Sequence, residues 1–469
     1  MRASSRTQIR FLIAFLMFGW IAFLLSFVAN HSSSALLTVL PRILRWAALV
    51  AFCGYAWARR SLTAWIFAGM LLGAEIGYDW PQFGKNLQVL SSIFLRLIRT
   101  IVAPLIFGTL VVGIAGHANL KQLGRIGIKS LIYFELITTL ALFIGLAAIN
   151  ISQAGAGVTP PADAAAAAAK SNAPPQKASD LILHVFPENI AKSVAEGQVL
   201  QVVVFSIIFG IALALVSEQK RRPMLGFCES LSEVMFKFTN IVMWTAPAGV
   251  AGAVAYTVST MGFGVMVNLL KLLGTLYGAL VVFLLCVLLP VVLLARLPLK
   301  EFLRAVAEPV TIAFATASSE AALPRAMESM EAFGVPRPIV AFVLPTGYSF
   351  NLDGSTLYLS LASVFVAQAA GIHLSFGQQL VMLLTLMLTS KGVAGVPRAM
   401  LVILSATVDS FHLPLWPVLI IFAVDQLMDM ARTATNVLGN CLASAVVARW
   451  EGEFGRESSS PGLMDAVAK

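Results

Sequence analysis

The polar side chains best suited to bind a small charged molecule lie in the last long apolar segment, residues 417–449. If this segment is a helix, six of them project within an arc of about 100°, because successive residues are about 100° apart. The six are Asp425, Asp429, Arg432, Thr433, Asn436 and Asn440. An unpaired charge deep in a membrane, as at Arg432, costs at least ~2.5 kcal/mol. We therefore predict a polar binding site on this face; a structural Asp–Arg pair that holds the helix to a neighbour is the alternative.

Two further segments have the residue types of a ligand-binding turn. Ser318 and Ser319, followed by Glu320, supply hydroxyl groups and the free N–H groups of a helix start, which are good donors to a carboxylate. A cap on a surface helix is the alternative. Residues 390–397 contain two glycines and a proline between apolar arms, which predicts a hairpin tip able to move against a ligand. A plain loop between helices is the alternative there.

Oxygen ligands for a small cation are clustered in the segment Asn351-Leu352-Asp353-Gly354-Ser355. The segment interrupts an apolar run, and Gly354 predicts an unwound turn. Free carbonyl groups and the Asp353 carboxylate are the hard oxygen ligands that such a cation prefers. In a soluble protein the same residues would indicate an ordinary turn, which is less favourable inside a membrane span.

The composition shows which class of protein must position these residues. Of 469 residues, 58% are hydrophobic and only 12% are charged, whereas soluble domains have about 25% charged residues. Too little polar surface remains for a soluble globule, and the same figures exclude a disordered, collagen-like or disulfide-stapled secreted chain. The four cysteines show no metal or redox spacing. We predict an all-α polytopic membrane protein.

The formal net charge of +9 has a topological explanation. Lys and Arg occur in short clusters between apolar runs, which is the bias of cytoplasmic loops under the positive-inside rule. Because the chain has no basic stripe, nucleic-acid binding is the less favoured interpretation. The distribution predicts cytoplasmic N- and C-termini and an inner (plasma) membrane location.

Apolar runs of about 20 residues, the length that crosses a bilayer, give the predicted organisation. The predicted spans are 11–29, 36–58, 62–77, 87–115, 126–151, 199–216, 236–258 and 269–294. Residues 1–60 form a helical hairpin rather than a cleaved signal peptide, because cleavage would leave Arg59 outside. Residues 154–180 are a low-complexity external loop, and residues 453–469 a cytoplasmic tail. From Ala305 onward the apolar runs are short and broken, which predicts a binding site at membrane depth.

The four polar motifs, in this order, resemble those of the dicarboxylate/amino acid:cation symporters, the glutamate transporter family. The segments LIRTIVAPLIFGTLVVGIAG and WTAPAGVAG extend the resemblance upstream, so that it covers residues 62–453. It implies a core at 61–452 with eight transmembrane helices and two re-entrant hairpins, and transport-domain hairpins and unwound helices mainly at 303–450. It also implies a homotrimer and an elevator-like movement of a transport domain through a fixed scaffold. The hairpin at 1–60 is an addition to that core.

The resemblance implies substrate-binding roles for residues that match the family motifs. Arg432 is similar to the family's anchor for a side-chain carboxylate, and Asp429 to the residue that binds an amino group. The implied substrate set is Ser318, Ser319, Ser355, Gly395, Val396, Asp429, Arg432, Thr433 and Asn436. C4-dicarboxylate members typically lack the aspartate and neutral amino acid members lack the arginine, so the pair favours glutamate or aspartate. A C4-dicarboxylate symporter is the alternative.

A second set resembles the cation ligands of the family. Its members are Gly347, Asn351, Asp353, Asn436 and Asn440. Asn440 replaces an aspartate of strictly sodium-coupled members, Leu352 replaces a methionine, and Phe134 stands where those members tend to have a hydroxyl. The acids Glu135 and Glu320 lie in or beside predicted membrane segments, where burial favours a protonated carboxyl group. We predict coupling to protons, alone or with sodium, with Glu135 or Glu320 as carrier; two structural acids are the alternative.

Two other function classes fit parts of the pattern. A membrane-embedded hydrolase would use Ser319 as nucleophile, but His184, His373 and His412 fall near predicted external ends and leave it without a base. An anion channel would be distinguished by the absence of gradient-driven accumulation. We predict a transporter of small acidic amino acids, not an enzyme, with no cofactor beyond the coupling ion. Its other partners are the bilayer lipids and further copies of itself.

Overall fold

The computed structural model describes residues 5–29, 35–115, 120–158, 186–196, 199–262, 264–390, 399–411 and 413–455, and the regular elements among them are helices. The helices are α1 (Ser5–Ala29), α2 (Ala35–Arg59), α3 (Leu62–Asp79), α4 (Pro81–Asn86), α5 (Gln88–Ala115), α6 (Leu120–Ser152), α7 (Ile190–Ala195), α8 (Val199–Leu215), α9 (Glu218–Met243), α10 (Ala246–Met261), α11 (Gly264–Phe283), α12 (Leu289–Leu294), α13 (Leu299–Thr316), α14 (Ser319–Ala332), α15 (Arg337–Phe350), α16 (Asp353–Ala369), α17 (Phe376–Thr389), α18 (Ala399–Ser410) and α19 (Trp416–Glu451). A π-helical turn, Leu284–Leu288, joins α11 to α12. The all-helical prediction is confirmed for this part of the chain.

Several predictions concern residues outside these described ranges. Most of the predicted external loop at 154–180 and of the tail at 453–469 lies outside the described ranges. The predicted tip of the second hairpin, with Gly395 and Val396, lies outside them as well, as does His412. These remain predictions from the sequence.

Long apolar helices support a multi-pass membrane protein. Within the described ranges, five helices are long and apolar enough to cross a bilayer, or six if α9 and α10 form one bent span. The five candidate spans are Thr7–Ser26, Val39–Arg59, Pro81–Val112, Arg125–Ser152 and Gly264–Leu294. Other predicted crossings fall on helices that are shorter or more polar. For example, α19 has 36 residues but includes Asp425, Asp429 and Arg432.

The segment predicted as a span at 236–258 is interrupted by a bend. The chain there forms two helices, α9 and α10, which meet at a bend of 51°. Pro247 lies in the first turn of α10 and has no N–H group with which to continue the hydrogen bonding of α9. The basic cluster at residues 220–222 lies in the first turns of α9, not in a loop between spans.

Glycines bring α3 into close contact with α10. A Cβ atom added at Gly69 or Gly73 would lie 2.3 Å from a carbonyl oxygen of α10, and one at Gly77 would lie 2.6 Å from another. These distances are well inside van der Waals contact, so only glycine allows the two backbones to approach this closely. Small residues with this spacing are typical of helix pairs packed inside a bilayer.

Gly73→Ala is expected to destabilise the protein by roughly 1–3 kcal/mol, because the added methyl group overlaps the carbonyl oxygen of Ala251. Gly274→Ala is the matched control, since nothing lies within 4 Å of a Cβ added there. Alanine in an open helical position stabilises by about 0.5–1 kcal/mol relative to glycine. Thermal unfolding of both purified variants in detergent measures the difference. Equal midpoints would contradict the close packing of α3 on α10.

The N-terminal pair, α1 and α2, is attached to α3 through charged side chains. Nε of Arg45 lies 2.9 Å from Oε2 of Glu75, and its Nη2 lies 3.1 Å from Oδ1 of Asp79. Nε of Arg42 lies 2.8 Å from Oδ2 of Asp79. The carboxylates are nearly enclosed at Asp79 and partly enclosed at Glu75, with side-chain exposures of 6% and 20%. These contacts tie the added pair to the end of α3.

Two breaks interrupt the helices of the last third of the chain. α13 ends at Ala317, whose φ of 50° is left-handed, and α14 then packs back against α13. α15 and α16 are separated by Asn351 and Leu352, which have non-helical dihedral angles. The predicted unwound turn is therefore present, but Gly354 lies in the first turn of α16 and not in the unwound part. All four helices pack against α19, and the break between α15 and α16 meets its polar face at Asn436 and Asn440.

Candidate substrate and cation site

The six polar residues of α19 are buried together. None of them is more than 6% exposed. Helices α6, α10, α11, α13, α14, α15 and α16 pack against α19 and enclose it. A ligand can therefore reach this face only if a neighbouring element moves, as is common for sites covered by loops or hairpins.

Arg432 bridges two carboxylates of its own helix. Its Nε donates to Asp429 Oδ1 at 2.8 Å, and its Nη1 donates to Asp425 Oδ1 at 3.3 Å. Thr433 Oγ1 also donates to Asp429 Oδ1, at 3.3 Å. The Asp–Arg pair of the structural alternative is thus present. This pair leaves part of the guanidinium group without a hydrogen bond, because the buried Nη2 has no hydrogen-bond partner among the described residues.

The Nη2 atom of Arg432, unpartnered among the described residues, favours a site for an anionic group. A buried donor that is left unpaired costs about 1–3 kcal/mol, and more when it is charged. A carboxylate of a bound molecule would remove that cost with a charge-assisted hydrogen bond. The geometry of Arg432 therefore favours an anionic ligand over a purely structural pair.

Tyr358 of α16 holds the guanidinium group of Arg432 in place. The Cζ atom of Arg432 lies 4.3 Å from the centre of the tyrosine ring, which is a cation–π contact. The Tyr358 hydroxyl donates to Asp425 Oδ1 at 3.3 Å. The sequence interpretation missed Tyr358 because a tyrosine in an apolar run usually packs in a core. Its position one turn after Ser355 is the signal that could have identified it.

Removing only the hydroxyl of Tyr358 is expected to weaken substrate binding less than removing its ring. Tyr358→Phe loses one hydrogen bond, worth about 0.5–1.5 kcal/mol, which predicts an increase in KM of up to roughly 10-fold. Tyr358→Leu also loses the cation–π contact, which is worth about 2 kcal/mol when desolvated. We therefore expect its KM to increase by roughly 100-fold. Initial uptake rates against substrate concentration measure both values. If leucine is no worse than phenylalanine, the ring does not position Arg432.

Asn436 joins α19 to the start of α16. Its Oδ1 accepts hydrogen bonds from the N–H groups of Gly354 and Ser355 at 2.8 and 3.2 Å. Its Nδ2 donates to Ser355 Oγ at 2.9 Å. These backbone groups are among the unsatisfied donors of a helix start, so Asn436 caps α16 from another helix. In this conformation at most one amide N–H of Asn436 remains for a ligand.

Asn351, Asp353 and Asn440 meet at the break between α15 and α16. Asn351 Nδ2 donates to both Asp353 Oδ2 and Asn440 Oδ1, each at 3.2 Å. Asn440 Nδ2 donates to the backbone oxygen of Asn351 at 3.3 Å. All three residues are 0% exposed, and Asn351 Oδ1 has no hydrogen-bond partner among the described residues. The cluster offers carboxylate and amide oxygens, which are the ligands of a hard cation.

Two glycines make room for this cluster. A Cβ added at Gly347 would lie 2.0 Å from Asn440 Oδ1, and one at Gly439 would lie 1.9 Å from Asp353 Oδ2. Gly347 was predicted from the resemblance, whereas Gly439 was missed because its role is steric. The ring of Phe134 borders the cluster, since its Cζ would lie 3.4 Å from the same Cβ at Gly347. A cation here would therefore have an apolar neighbour on the α6 side.

Ser318 and Ser319 lie at the turn between α13 and α14 and are half-buried. Ser318 is the N-cap of α14, and its Oγ accepts a hydrogen bond from the N–H of Ala321 at 3.2 Å. That contact is the helix cap of the structural alternative. The packing of α14 against α19 keeps a substrate role possible for the two serines, and this role stays a prediction.

The predicted proton carriers lie apart from the buried cluster. Glu135 is on an exposed side of α6, and Glu320 is exposed in the first turn of α14. Asp353, Asp425 and Asp429 are buried at or beside the polar face of α19. Enclosure by protein, the physical reason for expecting a protonated carboxyl, is thus weaker at Glu135 and Glu320 than at these aspartates. The assignment of the carrier stays a prediction.

The chain is similar to known transport proteins over most of its length. A model of the sodium:dicarboxylate symporter family matches residues 62–450. The proton/glutamate-aspartate symporter of Escherichia coli is 44% identical over 83% of this chain and 92% of that protein. The proton/sodium-glutamate symport protein of Bacillus caldotenax is 41% identical over 86% of this chain and 97% of that protein. C4-dicarboxylate transport protein 2 of Mesorhizobium japonicum is 40% identical over 83% of this chain and 89% of that protein.

Proposed function

The chain belongs to the sodium:dicarboxylate symporter family, and we propose on that basis that it is a secondary active symporter that imports glutamate and aspartate. It is a multi-pass membrane transporter and not an enzyme. Relatives of similar identity are named for acidic amino acid transport and for C4-dicarboxylate transport. The choice between these substrates therefore rests on the residues of the site.

The pairing of Arg432 with Asp429 favours an acidic amino acid. The Nη2 of Arg432, which has no hydrogen-bond partner among the described residues, supports binding of the side-chain carboxylate, and the Asp429 carboxylate supports binding of the amino group. A C4-dicarboxylate has no amino group, so it would bring a second anion towards Asp429 without compensation. Thr433, Asn436 and Ser355 complete the polar contacts. The remaining proposed substrate residues are Ser318, Ser319, Gly395 and Val396, at the two hairpin tips.

Substrate release requires an opening of this closed site, for which we propose the elevator movement implied by the family. The moving part comprises the hairpins and unwound helices of 303–450, within a core at 61–452. The packing of α13 to α16 around α19 supports one moving body. The close contact of α3 with α10, and the attachment of α2 to α3, support a rigid scaffold that includes 1–60. We further propose eight transmembrane helices, two re-entrant hairpins, a homotrimer and cytoplasmic termini in the inner membrane.

Coupling is proposed to involve protons, with or without sodium. The proposed cation ligands are Gly347, Asn351, Asp353, Asn436 and Asn440, with Glu135 or Glu320 as proton carrier. Asp353 is the single carboxylate of this ligand set, because Asn440 is neutral. Because this ligand set has only one carboxylate and borders the ring of Phe134, it disfavours a site that depends strictly on sodium.

Uptake by liposomes that contain the purified protein tests the proposal. An imposed inward proton gradient is expected to drive accumulation of labelled glutamate above equilibrium, and unlabelled aspartate should compete more strongly than succinate. A response to sodium alone would reject proton coupling. Succinate that competes as well as aspartate would support the C4-dicarboxylate alternative. Glutamate flux without accumulation above equilibrium would indicate a channel.

A further inference from the structure

An apolar groove opens on the surface of the protein where three helices end near the same membrane edge. It lies between the start of α6, the end of α12 and the end of α19, and its cavity has a volume of about 210 Å³. The residues that line it are Ile132, Tyr133, Leu136, Ile137, Val291, Leu294, Ala295, Val446 and Trp450. Ile132, Leu136 and Leu294 are 58%, 57% and 83% exposed, so the groove is open towards the surroundings of the protein.

The groove has the depth of a membrane interface. Two candidate spans have their ends here, Arg125–Ser152 at its first turns and Gly264–Leu294 at its last residue. Trp450 is 48% exposed, and its ring lies 6.1 Å from the ring of Tyr133. Aromatic side chains of this kind are enriched where the hydrocarbon region meets the headgroups. An acyl chain is therefore the occupant that the apolar walls would meet in a bilayer.

The rim of the groove is basic. Lys129 Nζ donates to the backbone oxygen of Trp450 at 2.9 Å, and Arg449 Nη2 donates to the backbone oxygen of Arg296 at 3.0 Å. Arg125 has a side chain that is 71% exposed. The nearby carboxylates are Glu451, which pairs with Arg125 and Lys129, and Glu453 two residues further on. The cations that these contacts place at the rim are Arg125, Lys129 and Arg449, which outnumber the two acids, and the exposed Arg296 follows the lining residue Ala295 in sequence.

We propose that this groove binds an anionic phospholipid, with an acyl chain along the apolar walls and the phosphate at the basic rim. Basic pockets between membrane helices on the cytoplasmic side are suited to anionic headgroups, and the charge distribution of the chain assigns this edge to the cytoplasm. A zwitterionic lipid would fill the same walls but would leave the excess of cations uncompensated. Because α19 also carries Arg432, the lipid would be attached to the same helix as the proposed substrate site. The lipid site itself does not depend on the proposed function.

Lipid retention measured by native mass spectrometry tests the charge requirement. The intact purified protein is delipidated, incubated with equal amounts of phosphatidylglycerol and phosphatidylcholine, and examined for bound lipid. We expect preferential retention of phosphatidylglycerol, reduced roughly 10- to 30-fold in the double variant Arg125→Gln/Arg296→Gln. The matched control is Lys220→Gln/Arg222→Gln, which removes the same charge from the first turns of α9. Equal loss in both variants, or equal retention of the two lipids, would overturn the proposal.

A second pair of variants tests the walls without changing charge. Ala295→Trp fills the groove and is expected to abolish retention of the lipid. Leu270→Trp adds a similar ring at a position of α11 that is 65% exposed and outside the groove, and should retain lipid as the parent does. Undiminished retention in Ala295→Trp would show that the lipid binds elsewhere. Since the readout is bound lipid, a failure here is distinct from a failure to transport glutamate.

Discussion

Arg432→Lys is expected to reduce uptake of glutamate and aspartate by roughly 30-fold or more, although it preserves the positive charge. Arg432 uses Nε for Asp429 and Nη1 for Asp425, and its Nη2 has no hydrogen-bond partner among the described residues, so it is the nitrogen proposed to bind the substrate carboxylate. A lysine ammonium group is a single point charge. It cannot contact the carboxylates of Asp425 and Asp429 and also reach the carboxylate of a substrate. Disrupting a buried, hydrogen-bonded charge pair costs about 2–5 kcal/mol, and each 1.4 kcal/mol is about tenfold. Initial uptake rates in liposomes measure the loss.

Arg325→Lys is the matched control for this substitution. Arg325 forms ion pairs with Glu308 and Glu328, but its side chain is 46% exposed. Exposed ion pairs contribute about 0–1 kcal/mol, so this variant should transport at close to the parental rate. The amount of each variant inserted in the liposomes is determined so that rates compare equal numbers of transporters. Near-parental uptake by Arg432→Lys would rule out Arg432 as the carboxylate anchor.

The polar face of α19 could be predicted because its cause is local. Asp425, Asp429, Arg432, Thr433 and Asn436 belong to one helix, and the helical repeat alone places them on one side. The cost of a charge at membrane depth then predicts that Arg432 is paired or lines a polar cavity, and its pairing with Asp429 is found. Neither inference needs knowledge of another segment.

Contacts between distant segments could not be predicted in this way. Tyr358 meets Arg432 only because α16 packs on α19, and its position one turn after Ser355 is the one local hint of that contact. Gly439 is needed because Asp353 Oδ2 would lie 1.9 Å from an added Cβ. The bend between α9 and α10 is a different case, since Pro247 was visible in the sequence and its effect on the preceding helix was overlooked.

The balance of buried charge gives a physical reason for coupled transport. Around the polar face of α19 the buried charged residues are Asp353, Asp425, Asp429 and Arg432, so the acids outnumber the single base. A glutamate or aspartate ion brings one further net negative charge into the same enclosed region. Uncompensated charge is costly in a medium of low dielectric constant, so the substrate can enter only together with cations. The number of buried carboxylates therefore sets how strongly the loaded site requires a cation.

Asn440→Asp is accordingly expected to make uptake dependent on sodium. Asn351 Nδ2 contacts both Asp353 and Asn440 at 3.2 Å, so the substitution places a second carboxylate around the same donor. Both positions are 0% exposed, and two like charges there disfavour ionisation unless a cation lies between them. We expect uptake without sodium to fall by about 10- to 100-fold and to recover as sodium is added. Uptake at constant ionic strength, with choline replacing sodium, measures the dependence.

Asn150→Asp separates the effect of position from that of the substitution itself. Asn150 Nδ2 donates to Gln379 Oε1 at 2.8 Å in the last turn of α6, where the residue lies on the protein surface and outside the cluster of Asn351, Asp353 and Asn440. This variant should therefore keep the sodium response of the parent. If Asn440→Asp also keeps it, the cluster of Asn351, Asp353 and Asn440 does not bind the coupling cation. If only Asn440→Asp acquires sodium dependence, the neutral Asn440 is what allows this chain to transport without a strict need for sodium.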